Sequence, residues 1–269
     1  MTNRTKKPVQ PVVKPFLTGK PADERTGKNA LSFFGILLLT VFMTFLVSTM
    51  LNFNQPILRI GMNVIVEGII LLLFYSNAAG KGADAVARGE ILYQRQEKGI
   101  SFTEGERAIC FHPMKGFLIG LLGTAILLIP TLIQALTASR TVTGVGVLPG
   151  WLDVYRRRTE VGDALVAYTA VGGISFADAI RMIDRILVMP FVAMVGAENR
   201  DGLLLIERLS PLIILLPAIS YGIGYLQGKR LRSRVHTEIA TANRKRARRE
   251  KKARMARRNR TPKGPEQLN

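Results

Sequence analysis

The segment LSFFGILLLTVFMTFLVSTML, residues 31–51, decides the fold class, because its 21 positions contain no charged side chain. An α-helix rises about 1.5 Å per residue, so this segment is long enough to cross the roughly 30 Å hydrocarbon core of a bilayer. Three further apolar stretches follow at residues 57–74, 116–138 and 203–226. The sequence therefore predicts an all-α integral membrane protein with four transmembrane helices.

The charge of the chain is concentrated at its two ends. The 269 residues carry a net charge of +19, of which residues 1–30 contribute +5 and residues 228–269 contribute +13. A soluble protein would spread its charges over the whole surface, so this distribution is typical of a membrane protein. Because cytoplasmic segments carry an excess of Lys and Arg, we expect a plasma-membrane protein with both termini in the cytoplasm.

The apolar stretches and the charge distribution divide the chain into three parts. These are a basic cytoplasmic N-terminal segment (1–30), a helical membrane domain (31–226) and a polybasic cytoplasmic tail (227–269). Within the membrane domain, residues 76–115 are predicted to form a cytoplasmic helical hairpin. Residues 139–202 are predicted to lie mostly outside the cell, as an amphipathic or re-entrant region.

The cytoplasmic hairpin is predicted to consist of two helices. The first covers residues 83–97. The second begins at a capping box, in which Thr103 caps the helix and Glu106 reaches back to it from three residues further on. This second helix is expected to end before Pro113.

One stretch of the outer region is predicted to be an amphipathic helix that begins at a Ser175 cap. Its apolar side chains recur at helical spacing, and charged side chains fill the opposite side. The apolar set is Phe176, Ile180, Ile183 and Leu187, and the charged set is Asp178, Arg181, Asp184 and Arg185. Such a helix lies along the membrane surface or packs on the helix bundle, and the sequence leaves both interpretations open.

The apolar residues 186–197 leave the number of crossings open. This stretch has only twelve residues and contains Pro190, so it suits a re-entrant or interfacial segment better than a crossing. If it does cross, a further crossing near residues 161–174 is required to keep both termini on one side. The alternative to four crossings is therefore six.

Polar side chains form a stripe on the first two predicted helices. They recur every four residues and are Thr40, Thr44 and Ser48 on the first helix and Arg59, Asn63 and Glu67 on the second. The connecting turn is short, so we expect antiparallel neighbours in which the two polar faces meet at three levels. A charge within hydrocarbon is costly and tends to face the protein interior or water. The stripe is either interhelical packing or a polar track for a proton, an ion or a polar substrate.

Glycines mark one face of each of the last two predicted helices. Gly116, Gly120 and Gly123 share a face of the third helix, and Gly224 and Gly228 end the fourth. Small residues at this spacing permit close approach of another helix backbone. These faces are candidate contacts within the bundle or with a protein partner.

The tail holds fifteen cations and two acids in its first part. The cations are Lys229, Arg230, Arg232, Arg234, Arg244, Lys245, Arg246, Arg248, Arg249, Lys251, Lys252, Arg254, Arg257, Arg258 and Arg260. We expect them to contact anionic lipid headgroups, with RNA or a ribosome as an alternative partner. The tail has no Phe, Tyr or Trp ring on which a base could stack, which argues against sequence-selective recognition. We expect a helix when the tail is bound and partial disorder when it is free.

Catalytic motifs are not found in the sequence. It contains no zinc-protease, phosphate-loop or dinucleotide-binding pattern. Cys110 and His112 supply two possible metal ligands, fewer than the three or four that zinc requires. We therefore expect no enzymatic activity, no metal and no cofactor.

Three hypotheses for the function follow from these features. The first is a non-enzymatic scaffold, assembly or accessory subunit, and the second is a transporter or channel component that uses the stripe around Glu67. The third comes from the order of elements between Ile57 and Arg260: an inward helix bearing Arg59, a cytoplasmic hairpin, two crossings and a basic tail. This order resembles the core layout of YidC-like membrane insertases and implies a ribosome-binding tail. The first helix is extra, the hairpin is short, and Arg59 lies near the outer end.

Overall fold

The computed structural model describes residues 13–51, 53–138, 176–196 and 199–260. Helices account for 85% of these residues, and no strand occurs among them. The helices are α1 (Glu24–Met50), α2 (Pro56–Glu97), α3 (Glu104–Ala108), α4 (Lys115–Thr137), α5 (Phe176–Leu187), α6 (Met189–Val195) and α7 (Arg200–Arg260). Four of these, α1, α2, α4 and α7, are long and apolar enough to cross a membrane. The predicted all-helical class and the four long apolar helices are confirmed. Ser175 and residues 161–174 lie outside the described residues.

The four long helices pack in the order α2, α7, α4, α1. The described chain termini, α3 and the start of α4 lie at one end of the bundle, here called the basic end. Residues 53–55, α5 and α6 lie at the other, the turn end. The helices α1 and α2 touch each other only slightly, because α6 packs against both of them. The close antiparallel pairing expected for these two helices is therefore replaced in large part by contacts with α6.

The helix α2 is longer than the sequence predicted. It runs for 42 residues, so the separate helices expected over 57–74 and 83–97 are one helix. No proline interrupts it after Pro56. Its glycines weaken the helix locally, but packing of its second half against α7 offsets that cost. The second hairpin helix is reduced to α3, which begins at the Thr103 and Glu106 capping box as predicted.

The helices α2 and α7 run parallel and approach each other closely through glycines. A Cβ atom at Gly82 would overlap the carbonyl oxygen of Tyr225, and one at Gly228 would overlap the backbone of Gly82. The Ser220 hydroxyl donates a hydrogen bond of 2.7 Å across the pair to the Leu71 carbonyl. The glycine end of the fourth predicted helix therefore serves contact within the chain.

The glycine face of α4 is also filled by the chain's own helices. Gly116 and Gly120 face α7, where a Cβ atom at Gly120 would lie 2.9 Å from the Ala218 Cα. Gly123 lies against the ring of Phe33 in α1. A protein partner that uses these faces would have to displace helices of the bundle.

Large apolar side chains cover the outer surface of the four long helices. Leu39, Ile65, Ile126 and Leu212 each expose more than half of their surface. Monomeric soluble proteins rarely expose such a continuous apolar belt. The belt is typical of helices surrounded by lipid and supports a multi-pass membrane protein.

Candidate functional site

A cluster of charged and polar side chains lies at the turn end, where α4, α5 and α7 meet. The carboxylate of Glu207 in α7 is buried and pairs with Arg185 at 2.7 Å and with Arg181 at 3.3 Å. Gln134 of α4 donates a hydrogen bond of 3.0 Å to the same carboxylate. Two cations and an amide thus neutralise one buried acid, as a charge removed from water requires.

Asp184 lies beside this cluster without the same compensation. Its side chain is fully buried, and neither of its oxygens accepts a hydrogen bond in the described part of the chain, because the neighbouring Ser210 hydroxyl donates to the Glu207 carbonyl at 2.9 Å. Burial raises the pKa of Asp184 to about 7, and the nearby Ser210 hydroxyl and Arg185 charge oppose this rise only in part. This carboxyl therefore holds a proton below neutral pH, which removes most of the cost of burying it.

The helix α5 packs on the bundle with its charged side inward. Asp178 and Asp184 are buried, whereas Phe176 is 80% exposed and Ile183 is 46% exposed. The predicted apolar face is divided, because Ile180 is buried and Leu187 packs against the core. The orientation of α5 follows from the pairing of Arg181 and Arg185 with the Glu207 carboxylate of a distant helix.

The deepest level of the polar stripe surrounds a small cavity. Thr40, Thr44 and Glu67 line a space of about 30 Å³, enough for one or two water molecules. The helix α7 contributes only apolar residues to this lining, and α4 contributes none. The hydroxyl of Thr40 donates to the Leu37 carbonyl of its own helix at 2.8 Å. A continuous polar track is not formed by these contacts.

The other stripe residues bond within their own helix or to α6. The Arg59 guanidinium donates to the carbonyl of Val195 at 3.3 Å, at the negative end of α6. Asn63 donates to the Arg59 carbonyl at 2.8 Å. Ser48 is buried, and its hydroxyl has no partner among the described residues. Arg59 therefore contacts the C-terminal end of α6.

At the basic end, the N-terminal segment crosses over α2 and the α3–α4 connection. The Leu17 amide donates to the Gly89 carbonyl at 3.1 Å, and the Gly19 amide donates to the Phe111 carbonyl at 2.9 Å. Added Cβ atoms at Gly19 or Gly89 would overlap the facing backbone. These contacts attach the start of the described chain to the bundle.

A buried ion pair joins the same segment to α4. The Lys115 ammonium lies 3.1 Å from Asp23, and both side chains are 4% exposed. It also donates to the carbonyls of Ala108 at 2.7 Å and Cys110 at 3.0 Å, so all three of its donors are used. Burial alone would raise the pKa of Asp23, but hydrogen bonds from Thr26 and Lys115 and the Lys115 charge outweigh it and lower the pKa.

A second buried acid ties the beginning of the tail to α2. Glu90 is 5% exposed, and it accepts hydrogen bonds from Arg232 at 3.0 Å and contacts His236 Nε2 at 2.8 Å. Both partners, Arg232 and His236, lie on α7 just after the apolar stretch. The first turns of the tail are therefore part of the folded bundle.

Residues 242–256 of the tail form a helical segment of α7 without neighbours in the described chain. Gly82 faces Gly228 and Glu90 faces His236, so α2 ends level with about residue 243. Every residue from 242 to 256 is exposed. We call residues 244–260 the basic arm; they contain eleven Lys or Arg and one acid.

The sulfur and imidazole of the Cys110–His112 segment have structural contacts. The buried Cys110 thiol donates to the Glu106 carbonyl at 3.6 Å, and burial raises its pKa. His112 Nδ1 accepts a hydrogen bond of 3.3 Å from the Met114 amide. A protonated, buried thiol is a poor nucleophile and metal ligand. Within the described ranges, no three His, Cys, Asp or Glu side chains form a group suited to a metal ion.

Comparisons with protein-family models, with characterised proteins and with solved structures found no match. The likeness to YidC-like insertases gains no support from them. The function is therefore argued from the clusters at the two ends of the bundle and from the basic arm.

Proposed function

We propose that this chain is a non-enzymatic scaffold of the plasma membrane that holds a polyanionic partner on its basic arm in the cytoplasm. The observation that carries the proposal is the continuity of α7, which runs as one helix from Arg200 to Arg260. The membrane span and the arm are thus one element. The parallel helix α2 and the contacts of Glu90 stiffen their junction.

The length of α7 favours a polyanion that lies away from the bilayer. No charged residue occurs between Leu209 and Gly228, so these twenty residues match the hydrocarbon thickness and place the inner boundary near Gly228. Arg244 follows sixteen residues later, about 24 Å along the helix axis. Electrostatic attraction to the headgroups decays within a Debye length of roughly 8 Å. A helix that leaves the membrane along α2 therefore carries the arm beyond the reach of its own bilayer.

A structured RNA such as ribosomal RNA is the partner that best fits the arm. Its phosphates match a helix with cations on all sides, and arginine, which outnumbers lysine here, contacts phosphate in bidentate fashion. The absence of aromatic residues from the arm indicates binding without selection of bases. Like charges on a lone helix repel one another, so a bound polyanion would also stabilise the helical arm.

The lining of the Glu67 cavity favours a scaffold over a transporter. Known intramembrane transport paths gather several polar groups from facing helices. Here the described residues of α7 that reach the cavity are Ile213, Ile214 and Pro217. Its size of about 30 Å³ suits a trapped water molecule better than a substrate path.

The RNA proposal is tested with the full chain in nanodiscs of uncharged phosphatidylcholine and fluorescent ribosomal RNA. The arm variant carries Arg246→Gln, Arg248→Gln and Arg249→Gln. It is compared with a variant of the groove that the N-terminal segment, α2 and α7 form at the basic end, which carries Lys14→Gln, Arg230→Gln and Arg234→Gln. This groove variant removes equal charge nearer the membrane. We expect the arm variant alone to lower the salt dependence of binding, by about two in the slope of log K against log salt. Absence of RNA binding by the wild type at low salt, or equal losses in the two variants, would overturn the proposal. Arm-dependent binding to anionic vesicles without RNA binding would assign the arm to lipid.

A further inference from the structure

The first cations of the tail line a groove at the basic end, whereas the basic arm lies outside this groove. The groove has a volume of about 600 Å³ and lies between the N-terminal segment, α2 and the part of α7 that follows the span. This volume is within the range of small-ligand sites. Its apolar wall is formed by Val13, Phe16 and Val86.

The rim of the groove is cationic. Lys14, Arg230 and Arg234 line it, and none of the three has an ion-pair partner in the part of the chain that the structure describes. Two acids also line the groove: Glu90, which pairs with Arg232 at 3.0 Å, and Glu238. Five Lys or Arg side chains line it against these two acids, so the groove offers a net positive charge beside an apolar surface.

One end of the groove lies at the level of the membrane boundary. The Lys229 ammonium covers the ring of Phe16 at 5.4 Å and the ring of Phe111 at 4.7 Å. Lys229 directly follows the uncharged span, and Phe111 precedes the start of α4 by four residues. The opening is thus placed where lipid headgroups and the first carbons of acyl chains are found.

We infer that this groove binds one anionic phospholipid of the inner leaflet. The phosphate is held by Lys14, Arg230 and Arg234, and the glycerol and adjacent acyl carbons pack on the apolar wall. RNA phosphates would pair with the cations of the rim but would leave the apolar wall exposed. A phospholipid pairs its phosphate with the cations and covers the apolar wall with its acyl carbons. The inference rests on the proposed membrane orientation and is independent of what the basic arm binds.

The test measures lipid retention by the full chain with native mass spectrometry after purification in detergent. Phosphatidylglycerol is titrated against phosphatidylcholine for the wild type, the groove variant and the arm variant. We expect the wild type to retain one phosphatidylglycerol in preference. The groove variant should bind it at least tenfold more weakly, and the arm variant should stay within twofold of the wild type.

Thermal unfolding of each variant in phosphatidylcholine checks that the groove variant is folded. If it is not, the single substitution Arg234→Gln at an exposed position repeats the measurement with a smaller perturbation. The inference would be overturned if the groove variant and the arm variant lost equal affinity for phosphatidylglycerol, or if the wild type did not prefer phosphatidylglycerol to phosphatidylcholine. It would also be overturned if free glycerol phosphate bound as tightly as phosphatidylglycerol. Failure of RNA binding leaves this outcome unaffected, so the two proposals fail separately.

Discussion

The close contact between α2 and α7 predicts opposite effects for the same substitution at two neighbouring glycines. At Gly80 an added Cβ atom meets nothing within 4 Å, so Gly80→Ala gains helix propensity of about 1 kcal/mol. At Gly82 the same atom overlaps the carbonyl oxygen of Tyr225 and lies 3.3 Å from the Cα of Gly228. Both obstacles are backbone, so the helices must separate, which costs about 1–3 kcal/mol in overpacked cores.

Both substitutions gain the same helix propensity, so the overlap alone should make Gly82→Ala about 1–3 kcal/mol less stable than Gly80→Ala. For a chain of this size, each kcal/mol shifts Tm by about 2–4 °C, so the two variants should differ on the order of 5 °C. The assay is thermal unfolding followed by circular dichroism, with both variants in the same detergent. A Tm for Gly82→Ala equal to or above that of Gly80→Ala would refute the close approach of α2 and α7.

Three further substitutions test the buried acids. Asp184→Asn should raise Tm at pH 8 and change it little at pH 4. The folded-state pKa of Asp184, about 7, exceeds its unfolded value, so the stability of the wild type falls as the pH rises from the unfolded pKa to the folded pKa. An equal effect of the substitution at both pH values would contradict burial of this carboxyl. Asp23→Asn should destabilise by about 3 kcal/mol by leaving the buried Lys115 charge unpaired, and adding Lys115→Met should recover part of that loss in denaturant unfolding. The lowered pKa of Asp23 means that its contribution is lost as pH falls below about 4. Glu67→Gln should leave proton flux into vesicles unchanged, and a selective loss of flux would favour transport.

The features that the sequence predicted correctly depend on neighbours along the chain. Hydrocarbon thickness sets the length of an apolar run, so residues 31–51 and 116–138 were sufficient to place α1 and α4. The capping box of Thr103 and Glu106 depends on residues three apart and was found. The glycine faces were also found, although not which helix each one meets.

The features that the sequence missed depend on contacts between distant residues. Arg232 and His236 of the tail belong to the bundle because Glu90 lies opposite them, at a separation of more than 140 residues. The sequence does not distinguish these two residues from the basic arm. They differ from the arm because they contact Glu90 in the folded chain.

The sequence by itself determined that the chain is helical, where the four long apolar helices of the described residues lie, and where the positive charge is concentrated. It also predicted a helical tail. The tertiary structure alone decided that α6 separates α1 from α2 and that α5 buries Asp178 and Asp184. The physical reason is that burial of a charge such as Glu207 is compensated by whichever side chains the packing brings near it. Helical periodicity defines the faces of α5, but only those partners determine which face is buried.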